Sequence, residues 1–231
     1  MLYPIRINKY LADKKIASRR EADELIRNGK ILINGKKAEL GEMVQESDKV
    51  EVEGDLKKLV YLAFNKPIGI ITHSPQGDEI GINDILKFDV AVFPLGRLDK
   101  DSHGLIILTN DGRMTDRLLN PIFEHEKEYE VEVVQKISDN FIKQMEGGVK
   151  LDGGYVTQKC KLKKLDDHLF SIILTEGKKR QIRRMCTALG YEVRDLRRVR
   201  VMNIELGSLK EGRHRIISGA EREEFLGKLE L

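Results

Sequence analysis

Two local signals near the N-terminus leave the first quarter of this chain little choice of fold. Ser18-Arg19-Arg20-Glu21 is a capping box, in which the serine oxygen and the glutamate carboxylate each satisfy an amide donor at a helix start. Asn34-Gly35 directly follows the β-branched and aliphatic run Ile31-Leu32-Ile33, the pattern of a strand entering a tight hairpin turn. Between the two signals, Ala22, Leu25 and Ile26 supply one apolar helix face, and Asn28-Gly29 supplies the stop. Ile7, Tyr10 and Leu11 keep helical spacing for a shorter helix before the box, and Val50 and Val52 alternate with acids as a closing strand. The expected unit is a compact α-then-β module over residues 1–55, with a linker from Gly54 to Lys58.

Beyond the linker the rhythm changes. Val60–Phe64, Gly69–Thr72, Leu105–Thr109, Tyr129–Val134, Lys159–Lys164 and Leu169–Leu174 read as strands. Helices are expected at Met114–Leu119, Ser138–Met145 and Arg180–Leu189, the last stopped by Gly190, and Ser218-Gly219-Ala220-Glu221 reads as a capping box for a terminal helix. Strands in runs with segregated helices predict an α+β fold with a mixed, mainly antiparallel sheet over residues 56–231.

Charge is concentrated. Residues 1–37 carry ten basic side chains against four acidic ones, and residues 176–200 carry nine against three, although the whole chain is only +3. Two local excesses of about six charges suit a polyanion partner better than a uniform solubilising coat does. Cys160 and Cys186 lie outside any Cys-x-x-Cys spacing and read as reduced thiols. No apolar run approaches membrane-spanning length and no secretory pattern opens the chain, so a cytoplasmic, non-membrane protein is expected.

The richest segment is Gly96-Arg97-Leu98-Asp99-Lys100-Asp101-Ser102-His103-Gly104-Leu105. A calcium loop is excluded, because its twelfth position needs a bidentate glutamate and here holds Asn110. A charged turn before a strand is the plain alternative. His73, His103, His125, His168 and His214 show no ligand spacing, so no metal site is expected. Gly147-Gly148 and Gly153-Gly154 do not join a strand to a helix as a nucleotide loop requires, and they read as turns.

The chain carries two family resemblances on these residues. Ile5–Leu11, Ser18–Ala22 and Gly29–Gly35 resemble the S4 RNA-binding domain, whose cations track phosphates; here Arg19, Arg20, Arg27 and Lys30 cluster about the second helix. Lys66-Pro67-Ile68-Gly69, the Gly96–Leu105 segment, Lys127-Glu128-Tyr129-Glu130-Val131 and Gly177–Met185 occur in the order found in the RNA pseudouridine synthases. The order is similar to that of the RsuA family, which carries an S4 domain, and to its branch acting on large-subunit rRNA, one member of which also modifies a tRNA. That resemblance implies Asp99 as the catalytic aspartate, Tyr129 as the active-site tyrosine and Arg183 as the basic residue paired with Asp99. It also implies Arg97 as a residue that fills the space left by the substrate base. No cofactor is implied, since isomerisation needs neither oxidant nor energy source, and a monomer is expected.

The residue types suit that chemistry. Cleaving a uridine's bond to ribose builds positive character on the sugar, which a carboxylate stabilises or attacks. An aromatic ring can stack the flipped base, and its hydroxyl can handle a proton. A non-catalytic RNA-binding protein competes with this reading, but phosphate binding alone requires neither Asp99 nor Tyr129. An S4-linked methyltransferase would need a glycine-rich cofactor loop, which the sequence lacks.

Overall fold

The computed structural model describes residues 1–54 and 57–231. The boundary expected at 55/56 therefore lies outside the described residues.

The N-terminal module follows its local signals. β1 (Ile5–Arg6) leads into α1 (Ile7–Asp13) and α2 (Arg19–Arg27), then β2 (Ile31–Ile33), β3 (Lys36–Lys37), β4 (Met43–Val44) and β5 (Val50–Val52). The Ser18 capping box forms with both hydrogen bonds, and Asn28 and Gly29 end the helix. Asn34 and Gly35 both take positive φ, 51° and 76°, the requirement of the turn that pairs β2 with β3. Ile7, Leu11, Ala22, Ile26, Ile31 and Val44 close the module's own core.

A larger sheet follows, built from β6 (Tyr61–Lys66), β7 (Phe93–Leu95), β8 (His103–Thr109), β9 (Lys127–Val133), β10 (Lys161–Lys164), β11 (Leu169–Leu174), β12 (Val193–Val201), β13 (Ile204–Glu205) and β14 (His214–Ile216). Its main path runs β10-β11-β9-β12-β8-β6-β14, with β13 added to β12 and β7 to β8. All of its pairings are antiparallel except β12 with β8. The helices are α3 (Ile82–Ile85), α4 (Met114–Leu119), α5 (Asp139–Gly147), α6 (Gln181–Ala188) and α7 (Gly219–Lys228).

Strand alternation sorts the core. Tyr61, Ala63, Leu105 and Ile107 face Leu118 of α4 and Phe225 of α7. Leu62, Phe64 and Ile106 point to the other side, against Ile82 of α3. The register carries that second face from Ile106 through Gly104 and Arg198 to Leu196 and Val131, where α5 and α6 pack through Phe141, Met145, Ile182 and Met185. Two apolar clusters thus share one face of the sheet, with the Gly104–Arg198 row at the seam between them.

Three expectations need correction. Gly69–Thr72 is not a strand; Ile71 makes only an isolated bridge to Gly81, because neighbouring polar groups are spent on the loop around Asp99. The Ser218 capping box does not form: Ser218 precedes α7 but makes no side-chain cap, and the Glu221 carboxylate is taken by Arg215 at 2.6 and 2.7 Å. The nine-residue β12, the centre of the sheet, was read only as a basic run.

The join at the seam depends on Gly104. Only two register pairs link β8 to β12, Arg197 with His103 and Arg198 with Gly104. A Cβ at Gly104 would sit 2.3 Å from the Arg198 carbonyl oxygen and 2.7 Å from its nitrogen, and the glycine's φ is +102°. Both obstacles are backbone, so no flexible side chain can give way. Gly104→Ala is expected to cost about 3 kcal/mol or more, read as a lower urea midpoint at unchanged slope; an unaltered midpoint would contradict the close approach.

Candidate active site

Asp99 lies on the loop between β7 and β8, and that loop is strapped from one side. The buried Thr72 hydroxyl donates to the Leu98 carbonyl at 2.7 Å and accepts from the Leu98 amide at 3.1 Å. The Gly69 amide donates to the Lys100 carbonyl at 2.8 Å, and the Ser102 amide donates to the carbonyl of Asp99 itself at 3.1 Å. The residues on either side of Asp99 are therefore fixed through their backbone, which sets the carboxylate's position without engaging it. Among the described residues no hydrogen bond or ion pair reaches the half-buried Asp99 carboxylate.

The strap begins at Lys66, whose side chain is fully buried and donates to the carbonyls of Pro67 and Ile70 at 2.7 and 2.8 Å. Burial pushes its ammonium down to about 8, and the negative fields of Asp101 and Asp99 oppose that shift. The Lys66-Pro67-Ile68-Gly69 motif is thus the start of the strap that positions the aspartate loop.

The arginines of α6 meet Asp101 rather than Asp99. Arg180 binds the Asp101 carboxylate through both terminal nitrogens, at 2.9 and 2.8 Å, and those hydrogen bonds hold the carboxyl below its ordinary range. Arg183 places Nε 3.3 Å from the same carboxylate, donates through Nη2 to the Asp101 carbonyl at 2.7 Å and through Nη1 to the Val193 carbonyl at 3.2 Å. The expected pairing of Arg183 with Asp99 is therefore not the one found. Asp101 is the acceptor that ties the aspartate loop to α6.

Tyr129 is half-buried on β9, opposite Ile172 of β11 and Arg198 of β12, and it packs on the α5–α6 cluster. Because Arg198 also pairs with Gly104, Tyr129 sits two strands from the end of the Asp99 loop, roughly 10 Å across the ladder. Its hydroxyl makes no hydrogen bond among the described residues. Arg198 is 4% exposed; its Nε donates to the Leu105 carbonyl at 2.6 Å, and its Nη2 is buried with no partner. Nearby Lys127 is also pushed down to about 8, by burial first and by the Arg198 charge second. Sequence reasoning missed the roles of Arg198, Arg180 and Lys66; the Lys66-Pro67 and Gly177–Met185 motifs signalled the last two, and nothing signalled Arg198.

Arg97 is exposed, two residues before Asp99. Arg19, Arg20 and Arg27 are exposed on α2, Lys30 is half-buried, and none of the four is ion-paired among the described residues. The second basic run behaves differently. Arg180, Arg183, Arg194, Arg197 and Arg200 are each paired with a carboxylate, so much of that charge is spent inside the fold. No helix among the described residues is long and apolar enough to cross a membrane.

Comparison with known proteins agrees with this geometry. Residues 60–188 match the RNA pseudouridylate synthase family, and residues 5–50 match the S4 domain. The dual-specificity RNA pseudouridine synthase RluF of Escherichia coli strain K12 is 44% identical over 94% of this chain and 77% of its own length. The ribosomal large subunit pseudouridine synthase B of Bacillus subtilis is 35% identical over 90% of this chain and 89% of its own. A crystal structure of a pseudouridylate synthase superposes with a TM-score of 0.71 at 28% identity, covering 97% of this chain and 99% of that one. With both models matched and relatives of this identity and coverage, the chain belongs to the RNA pseudouridylate synthases, isomerases acting on RNA, in their S4-bearing RsuA branch.

Proposed function

We propose that the chain isomerises uridine in large-subunit ribosomal RNA, as a cytoplasmic monomer, with Asp99 as the catalytic carboxylate. The support is the carboxylate's situation: its neighbours are fixed by Thr72 and Gly69, the adjacent arginines are occupied by Asp101, and Asp99 itself takes no partner among the described residues. A carboxylate meant to stabilise a sugar cation, or to attack it, needs that freedom. Arg183 and Arg180 then act through Asp101 to hold the loop, rather than by pairing with Asp99.

In the proposed reaction the bond between ribose C1′ and uracil N1 breaks as Asp99 meets the positive character at C1′. The uracil turns, C5 bonds to C1′, the C5 proton leaves and N1 gains a proton, so substrate and product contain the same atoms. Tyr129 offers a ring for the flipped base, and its hydroxyl can help remove the C5 proton by passing its own proton on as it accepts that one. Arg97 fills the space the base vacates in the RNA. Residues 1–55 serve as the RNA-gripping module through Arg19, Arg20, Arg27 and Lys30, and residues 56–231 as the catalytic unit. The name of the 44% relative supports a second RNA substrate, for which a tRNA is the candidate to offer.

Asp99→Asn is expected to abolish isomerisation while leaving RNA affinity nearly intact. Tritium release from C5-labelled uridine in rRNA and tRNA transcripts, beside a filter-binding titration, measures both; substantial remaining turnover removes Asp99 from the chemistry.

Replacing Arg19, Arg20 and Arg27 together by glutamine should weaken RNA binding and reduce the slope of log affinity against log salt by about one unit per lost phosphate contact. An unchanged slope would place the α2 cations outside the RNA interface.

A further inference from the structure

Flipping a uridine out of a folded RNA requires something to separate it from its neighbours, and one exposed side chain beside the aspartate loop is built for that. Ile122 is 77% exposed, more than any other large apolar side chain among the described residues except Leu2 near the N-terminus. Such exposure costs solvation that a packed position would avoid, and the surrounding turn is far from loose. The Asn120 side chain accepts from the Ile122 amide at 3.2 Å, Pro121 fixes the entry, and Glu124 ends the turn at φ 50°. Phe123 is braced from two directions: the His125 ring stacks on it at 5.9 Å and 20°, and the Arg117 guanidinium lies 5.4 Å from its centroid.

The turn is continuous with the site. Leu119, three residues before Ile122, lies 3.2 Å from where a Cβ on Gly96 would stand, and Gly96 is three residues before Asp99. The end of α4 thus packs against the start of the aspartate loop, and the exposed tip follows three residues later, within about 11 Å of Leu119. Arg97, the residue after Gly96 on that loop, is exposed. A rigid apolar tip on the segment packed against that loop suits a partner with stackable faces, and the exposed Arg97 suits phosphates, a combination nucleic acid offers.

Resting on the reading that Asp99 acts on uridine in folded RNA, we infer that Ile122 is a wedge. It inserts at the base step beside the target uridine and offsets part of the cost of unstacking it, with Phe123, His125 and Arg117 as its rigid support.

The test uses two RNAs derived from a large-subunit rRNA stem that the wild-type chain modifies. In one the target uridine is paired and stacked; in the other it lies opposite a mismatch and is already unstacked. Ile122→Ser should lower kcat/KM roughly tenfold on the paired RNA and less than twofold on the open one, because an open base no longer needs a wedge. Its thermal midpoint should match wild type, since the side chain is exposed, and 2-aminopurine placed next to the target should brighten less on binding. Ile216→Ser, at another exposed isoleucine, on the edge strand β14, should change none of these. Equal losses on both RNAs, or no loss on either, would overturn the wedge while wild-type turnover leaves the Asp99 reading standing. If the wild-type chain isomerises uridine in no large-subunit rRNA stem, that reading falls and the wedge with it.

Discussion

The catalytic half of the molecule is held together at a contact two residues long. β8 and β12 run parallel for the pairs Arg197–His103 and Arg198–Gly104, and among the described residues no other pairing joins the β6–β8 half of the sheet to the half containing β9, β11 and β12. The backbones meet so closely that position 104 cannot carry a side chain. Past this row β8 turns to β7 instead, pairing Leu95 with Ile107. The loop returning from β7 to β8 therefore passes beside the seam between the two apolar clusters, and Asp99 is on that loop. Apolar packing flanks the seam on both sides, by α3 on one and α5–α6 on the other.

Electrostatics then divides the labour between two aspartates two residues apart. Asp101 receives Arg180 as a two-pronged partner and Arg183 at both carboxylate and carbonyl, so its charge is matched. Asp99 is held through the backbone of its neighbours, and its carboxylate takes no partner among the described residues. Two cations are buried in this half of the fold, Lys66 and Arg198, and Lys66 responds to both aspartates. Burying cations costs several kcal/mol unless something compensates them, and here carbonyl oxygens and the two aspartates do so in part. The loop thus carries one matched and one unmatched carboxylate, two residues apart.

How much of this could be read from the residues follows from how local each signal is. The Ser18 capping box and the Asn34-Gly35 turn concern atoms within four residues of each other, and both formed as expected. The same box motif at Ser218 failed because Arg215 outcompetes the serine end for Glu221. β12 stayed hidden since Arg194, Arg197 and Arg200 look like a polyanion patch until Glu132, Glu130 and Glu128 arrive beside them on β9, more than sixty positions away. Asp99 was legible through its motif, but which aspartate Arg183 would meet was not. That choice is made by the path of the loop, which the Thr72 and Gly69 straps set from a segment mistaken for a strand.

Coupling energies measure that division of labour most directly. Urea unfolding of Asp101→Asn, Arg183→Gln and the double variant gives one cycle, and Asp99→Asn with Arg183→Gln gives the other. A loop tied to α6 through Asp101 predicts about 1 kcal/mol of coupling in the first cycle, Arg183 being largely buried, and additivity within roughly 0.5 kcal/mol in the second. Strong coupling of Arg183 to Asp99, with none to Asp101, would contradict it.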